Sequence, residues 1–343
     1  MSDQPHPKRN RPPSMHDVAR LAGVSQTTVS FVVNNVTSVA ISQETRDRVW
    51  AAIHALGWRP NAMARSLRTR HSQTLGLISD EVVTSPYAVR MILGAQEAAW
   101  ANRQMLLVVN TSGRSDIEQT ALQFMLERRV EGLIYATMYH HEVTPPADLK
   151  LVSTVLVNCF VADRSLPAII PDEVQGGYTA TEALIRRGHR RIAFINEIIP
   201  MPALFGRLEG YRRALADYGL PVDPTLVRSC HSNVRDAFTV TRELLEYTER
   251  PTAIFCFNDK MAMGAYDAIK RMGLRIPQDV AVVGFDNLEL IAAQLYPPLT
   301  TVALPHYEMG RRAVELLQSL PAGESLPPIQ HYIPCPLIER ASI

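Results

Sequence analysis

From residue 73 onward the chain alternates short, continuous apolar runs with stretches of helical period, and few folds accept that pattern. TLGLIS (74–79), MLLVVN (105–110), GLIYAT (132–137) and STVLVN (153–158) read as buried strands, with helices over 88–103 and 114–129 between them. The alternation starts again with RIAFIN (191–196), TAIFCF (252–257) and VAVVGF (280–285), separated by helical stretches near 206–218, 233–247 and 259–272. Strands that are apolar along their whole length and joined by helices form parallel sheets covered on both faces. The stretch is too long for one such sheet. An α/β fold with two doubly wound parallel-sheet subdomains is expected.

The first sixty residues follow another rule. Ser14-Met15-His16-Asp17 has the form of a capping box, so a short helix is predicted over 15–22. Gly23 can end it in the left-handed conformation and Ser25 can cap the next helix, giving helix-turn-helix spacing. A third helix is expected from its cap Ser42, with Glu44 in the first turn, through ETRDRVWAAIHALG. Val18, Leu21, Val24, Val29 and either Val32 or Val33 would pack against Val49, Ala52, Ile53 and Leu56.

The formal net charge of +1 hides an asymmetry, since residues 1–70 hold ten Lys/Arg against four Asp/Glu. A basic end suggests a polyanionic partner. Yet residues 22–34, AGVSQTTVSFVVN, carry no charge. A helix that enters the major groove must offer donors, acceptors and methyl groups to base edges, and Gln26, Thr27, Thr28 and Ser30 offer all three, with Asn34 near the far end. Arg20, Arg46, Arg48 and Arg59 would hold phosphates, which fix register without reading sequence. Taken singly, Gln26 or Thr27 reads as an ordinary exposed residue; three helices together with the local charge point to DNA.

With 46% hydrophobic and 20% charged residues, the composition is that of a soluble globular protein. Cys159, Cys230, Cys256 and Cys335 lie far apart and are expected as reduced, buried thiols, with no zinc ribbon or redox pair. No leader or membrane span is evident, so a cytoplasmic location is expected. There is no G-x-S-x-G, H-E-x-x-H or Gly-rich phosphate loop, so no catalytic residue, cofactor or metal is expected. His140-His141-Glu142 reads as a solvated turn.

MHDVARLAGVSQTTVSFVVNN, followed by ISQETRDRVWAAIHALGWRPNAMARSLRTRHSQTLGLI, resembles the lactose/galactose repressor (LacI/GalR) family of bacterial transcriptional regulators, over nearly the whole chain. The resemblance implies an all-helical DNA-binding headpiece (1–60), a hinge helix (61–71) and a periplasmic-binding-protein-like effector core (72–343). Within the core, subdomain 1 would take about 72–171 and 300–330, and subdomain 2 about 172–299 and 331–343. It also implies a nucleoid-associated homodimer on a near-palindromic operator. Phe31 departs from the pattern, standing where many members place an arginine or histidine; contact with a thymine methyl or plain packing is expected of it. In the hinge, Asn61 could cap a short helix, and Leu67 in Ala64-Arg65-Ser66-Leu67 matches the leucine that the family inserts into the minor groove. The alternative is an unstructured linker. The chain ends at LIERASI without a leucine-heptad tail, so a dimer is expected rather than a tetramer.

Ligands of doubly wound sheets sit outside the carboxyl ends of the strands. Asp286 ends AVVGFD, Asn258 and Asp259 end AIFCFND, Asn158 ends VLVN, and Arg207 precedes LEGYRRALADYG. Asp286 and Asp259 could equally cap the helices that follow, and Asp172 is expected to do so. The resemblance favours Arg207 and Asp286, then Asn158 and Asn258, with Tyr87 matching an aromatic that often faces the ligand; Phe160 and Phe257 read as core. A sugar is the favoured effector, with a purine as the other option. The competing readings are a sugar-binding transport receptor, which shares the two-lobed core, and an enzyme.

Overall fold

The computed structural model describes residues 12–59, 71–84, 88–319 and 326–343. The chain divides into two units between Ser72 and Gln73. The expected hinge residues Asn61, Ala64, Arg65, Ser66 and Leu67, and also Tyr87, lie outside the described residues.

Among the described residues of the first unit, three helices form where the caps place them: α1 (Met15–Ala22), α2 (Gln26–Val33) and α3 (Gln43–Leu56). The capping box is closed, with Ser14 N donating to Asp17 Oδ2 at 3.0 Å and Asp17 N donating to Ser14 Oγ at 3.4 Å. Gly23, at φ 67°, ends α1, and Ser25 Oγ accepts from Thr28 N at 3.1 Å to start α2. Val18, Val29, Val32, Val49, Ala52 and Ile53 are buried together, so Val32, with Val33 only partly covered, is the inner valine of that pair. Leu21 is a correction: it is 56% exposed. The inward stripe of α1 runs through Val18, Ala19 and Ala22, which leaves Leu21 round the side of the helix. Trp58, which follows the left-handed Gly57 and donates its backbone N–H to Ile53 O at 3.1 Å, belongs to the same buried cluster. The apolar residue after a glycine C-cap folds back on its own helix.

The second unit holds two six-stranded sheets. The first contains β1 (Thr74–Ser79), β2 (Met105–Asn110), β3 (Leu133–Glu142), β4 (Thr154–Phe160) and β5 (Ala168–Pro171). The second contains β6 (Ile192–Glu197), β7 (Val227–Cys230), β8 (Ala253–Cys256), β9 (Ala281–Asp286) and β10 (Thr300–Ala303). The strand β11 (Gln330–Ile333) then returns to the first sheet and β12 (Leu337–Ile338) to the second, giving orders β11-β5-β4-β3-β1-β2 and β12-β10-β9-β8-β6-β7. Among the described residues all strand pairings are parallel except β12 on β10. The crossings expected near 300 and 330 therefore fall later, because Thr300–Ala303 is paired with β9 and Gln330–Ile333 with β5 before the chain leaves either lobe.

The helices are α4 (Val89–Ala101), α5 (Ser115–Glu127), α6 (Glu173–Arg186), α7 (Pro202–Asp217), α8 (Val234–Leu245), α9 (Asp259–Arg271), α10 (Glu289–Ala292) and α11 (His306–Gln318). The apolar sides of the first sheet pack two separate cores, one with α4 and α11 and one with α5. In the second lobe Phe194 stacks on Phe255 at 4.5 Å and on Tyr211 at 5.5 Å. Helices α6 and α7 approach very closely: a Cβ on Gly206 would lie 2.5 Å from Glu173 Cβ, and one on Gly210 2.2 Å from Val174 O. That approach brings Arg207 of α7 onto Glu173 of α6.

In both sheets the strand order reverses beside the first strand of the lobe, at β1/β3 and at β6/β8. Open α/β sheets present their ligand crevice at that reversal, beyond the carboxyl ends of the strands.

Candidate functional site

On α2, Gln26, Thr27 and Asn34 are exposed, while Thr28, Ser30 and Phe31 are half-buried. The six are not equally available. Thr28 Oγ1 lies 2.9 Å from the cap hydroxyl of Ser25, and Asn34 Nδ2 turns back to Ser30 O at 2.7 Å. Gln26 and Thr27 make no side-chain hydrogen bond with any described residue, which leaves their full donor and acceptor capacity outward. Of the flanking arginines, Arg20 pairs with Asp17 at 3.2 Å and Arg46 donates to Asn35 Oδ1 at 3.4 Å. Arg20 is exposed and Arg46 half-buried, and single contacts of this kind exchange easily for a phosphate.

In the second unit a cavity of about 460 Å³ lies between the strand ends of the two sheets. It brings together Asn158, Arg207, Asn258 and Asp286 from the sequence-derived set, and Phe257 with them. Arg207 is held on every side. Its Nε donates to Glu173 Oε2 at 2.8 Å, its Nη1 donates to Phe257 O, and Phe285 and Phe257 lie against the guanidinium at 3.6 and 4.3 Å. Only 4% of the side chain is exposed. Burial opposes its charge, and Glu173 followed by Asp286 more than restores it.

Asp286 stands at the end of β9 with φ 103°, followed by Asn287 at φ 50°. Two successive residues in sparsely populated conformations persist only where surrounding bonds hold them. Here the holder is Asp259, which is buried beneath the loop and does not line the cavity. Its carboxylate accepts from Leu288 N at 2.7 Å and from Thr301 Oγ1 at 2.7 Å. Gly284 makes room, since a Cβ there would meet Asp259 Oδ1 at 2.3 Å. Burial pushes the Asp259 carboxyl well above its ordinary range, reinforced by the charge of Asp286. The same effect raises Asp286 to about 7, with Arg207 and Lys260 pulling the other way and Glu173 adding to the rise.

The capping alternatives resolve individually. Asp172 does cap α6, accepting from Gln175 N at 2.9 Å. Asn258, not Asp259, caps α9, accepting from Met261 N at 2.9 Å. Asp286 caps no helix; Leu288 holds that position for α10. Asn158, at φ 60°, ends the straight run of β4, in a conformation that asparagine tolerates better than most residues. Its Nδ2 donates to Thr137 O at 3.1 Å and Met138 O at 2.9 Å, fixing the bulge where β3 shifts register between Ala136 and His141.

That bulge corrects the reading of His140-His141-Glu142 as a solvated turn. These residues continue β3, and His140 lines the cavity with its ring edge-on to Phe160 at 5.6 Å. Both ring nitrogens are buried without a hydrogen bond to any described residue, and burial, ahead of the charges of Arg164, His141 and Arg207, lowers the imidazole to about 4. The cavity also gathers residues that sequence reasoning passed over: Glu173, Glu197, His231, Ser232, Asn233, Lys260 and His306. Glu197 ends β6 as Asp286 ends β9, so the strand-end rule applied to RIAFINE would have found it. Its carboxylate accepts from three backbone N–H groups, Ile198 at 2.7 Å, Ile199 at 3.1 Å and Ser232 at 3.1 Å.

Among the described residues no group of His, Cys, Asp and Glu is placed to hold a metal ion, and no helix is long and apolar enough to cross a membrane. The four cysteines are buried and free.

Residues 14–61 match the family model described as bacterial regulatory proteins, lacI family. Residues 72–341 match periplasmic binding proteins and sugar binding domain of LacI family. Among curated proteins, the ribose operon repressor of Haemophilus influenzae is 34% identical over 307 residues, covering 89% of this chain and 90% of its own length. The repressor PurR of Vibrio atlanticus is 34% identical over 306 residues, with 89% and 90% covered. Among solved structures, the lac repressor dimer bound to operator and the anti-inducer ONPF superposes with a TM-score of 0.77 at 28% identity, covering 97% of this chain and 99% of that one.

Proposed function

This chain belongs to the LacI family of bacterial regulatory proteins, and from that membership we propose that it is a sequence-specific DNA-binding repressor controlled by a small molecule held between the two lobes of its core. The observation that carries the reading is the joining, in one chain, of a helix-turn-helix unit to a core whose opposed strand ends enclose a polar cavity. A transport receptor has no use for the first, and the relatives are transcriptional regulators rather than enzymes.

The roles follow from chemistry. Gln26 and Thr27, with Thr28, Ser30, Phe31 and Asn34 behind them, read base edges in the major groove, while Arg20, Arg46, Arg48 and Arg59 hold phosphates. Leu67 is the minor-groove wedge of the hinge, and two copies of the chain meet the half-sites of an operator. In the core, Asn158, Arg207, Asn258 and Asp286 face the effector, with Arg207 anchored by Glu173; Tyr87 is a further candidate for contact. The relatives' names, a ribose operon repressor and a sugar binding domain, support a sugar; PurR keeps a purine as the second reading. The effector acts by differential affinity for two lobe arrangements, so it must change operator affinity by the same factor by which operator changes its own.

The test is a gel shift of the full chain on promoter DNA from its own locus across a salt series. A repressor binds with a steep negative salt slope and prefers that DNA over a scrambled duplex. Equal retardation of both duplexes refutes the proposal.

A further inference from the structure

One ion pair joins the two lobes of the core and lies on none of the segments that cross between them. Arg90, the second residue of α4 in the first lobe, donates from Nη1 to Glu289 Oε1 at 3.2 Å, and Glu289 is the first residue of α10 in the second lobe. The pairs Arg207–Glu173, Arg187–Glu339 and Arg311–Glu315, by contrast, each stay within one lobe.

Both ends of the bridge are anchored. Glu289 follows directly on the 286–288 loop, whose first residue, Asp286, lines the cavity. Asp259 Oδ2 accepts from Leu288 N, Arg340 Nη2 donates to Asn287 Oδ1 at 2.7 Å, and Leu288 O accepts from Ile291 N at 2.8 Å, so the run from Asp286 into α10 is held as one piece. On the other side α4 lies so close to α11 that a Cβ on Gly94 would fall 2.0 Å from Tyr307 O, and one on Gly310 1.9 Å from Met91 O. Tyr307 Oη also donates to Glu97 Oε2 at 2.5 Å. His306, which opens α11, lines the cavity. The bridge therefore connects two rigid pieces that each carry part of the cavity wall.

Its strength suits that position. At 58% and 66% exposure the two side chains add little to the stability of the fold. A contact of that size can still redistribute two lobe arrangements that differ by a small free energy, where a buried pair would lock one of them.

We infer that Arg90 and Glu289 form a latch that favours the lobe arrangement seen here, and that the strength of this latch sets how tightly the chain holds its operator. The second half rests on the repressor reading above; the first does not.

Spin labels on Thr120→Cys of α5 and Arg235→Cys of α8, both exposed, report the separation of the lobes in the full chain, because the four native cysteines are buried. Dilution with unlabelled chain removes distances between copies. Arg90→Glu and Glu289→Arg should each shift the ratio of the two arrangements roughly 2- to 5-fold, and combining them, which exchanges the charges, should restore the wild-type distribution. Arg90→Gln and Glu289→Gln serve if a reversal does not fold; their combination should shift the ratio no further than either alone. Wild-type distributions in every variant, or single shifts that the exchange leaves in place, overturn the latch. Affinity for promoter DNA from the chain's own locus, followed by fluorescence anisotropy, should change in the single variants by no more than the same factor and return in the exchange, with a scrambled duplex bound unchanged. Lobe shifts that leave promoter affinity untouched overturn the second half. A wild type that does not prefer its promoter refutes the repressor reading instead, and the label distances still decide the latch.

Discussion

Glu173→Gln removes one charge from a buried ion pair whose side chains are 6% and 4% exposed, and the consequence can be worked from the geometry. Stripping the partner from a buried charge costs roughly 3–5 kcal/mol. Two features reduce that here. The amide oxygen of glutamine still accepts from Arg207 Nε, and Asp286, 3.8 Å from Arg207 Nη2, remains as counter-ion. A loss of about 2–4 kcal/mol is therefore expected. Arg207→Met leaves the carboxylate unmatched instead, though protonation can neutralise it. With both replaced, the pair is removed as a unit, Asp286 keeps Lys260 as a cation acting on it, and the methionine can still cover Phe257 and Phe285. The double variant should be more stable than the sum of the single losses predicts, by about 2 kcal/mol. Urea unfolding of the four proteins, followed by far-ultraviolet circular dichroism, measures the cycle. Additivity within about 0.5 kcal/mol would refute the claim that the pair acts as a unit. The single Glu173→Gln change should also lower the titration midpoint of Asp286 from about 7, because the Glu173 charge helps to raise it.

Acid should act through His140. Its imidazole is lowered from 6.5 to about 4 in the folded chain, so the unfolded state binds more protons between those values. Its contribution is complete above pH 6.5 and is lost as pH falls towards 4, up to about 3 kcal/mol. Asp286, raised to about 7, works in the opposite direction over the same window, so the quantity to measure is the difference between wild type and His140→Phe in urea midpoint against pH. Parallel curves from pH 7 to 4 would reject the assignment. In the hinge, Leu67→Ala should weaken specific operator binding far more than non-specific binding; equal losses in titrations against both DNAs would reject the wedge.

The strands and caps were legible because each rests on local chemistry. Ser14, Ser25, Ser42 and Asp172 cap helices as their spacing requires, and the long apolar strands lie within a residue or two of their expected bounds, β3 apart. What was not legible depends on tertiary partners. Helix α6 packs through Gly176, Gly177, Ala180 and Thr181, small residues that mark no strong apolar stripe, and the short strands β5, β7 and β10 declare themselves only by pairing. Leu21 was misplaced because helix rotation is set by the whole three-helix core, and Trp58, beyond the last helix, joins that core only through the folded turn at Gly57. At the site, the strand-end rule found Asn158, Asn258 and Asp286. It could not show that Asp259 turns inward to hold the 286–288 loop, or that Glu173 reaches Arg207 across the close contact that Gly206 and Gly210 permit. His140 was hidden by a bulge, which carries a strand past the point where apolar alternation stops.

The central claim is that the uncharged face of α2 reads bases while its basic surroundings supply affinity. Fluorescence anisotropy of the full chain on its own promoter site and on a scrambled duplex, at one fixed salt concentration, tests it when Gln26→Ala/Thr27→Ala is measured beside wild type. Wild type should prefer the site by roughly 10³-fold or more, and the variant should lose about 1–3 kcal/mol of that preference per lost base contact while binding the scrambled duplex unchanged. A variant that weakens on both duplexes alike, or that keeps the full preference, would contradict the account.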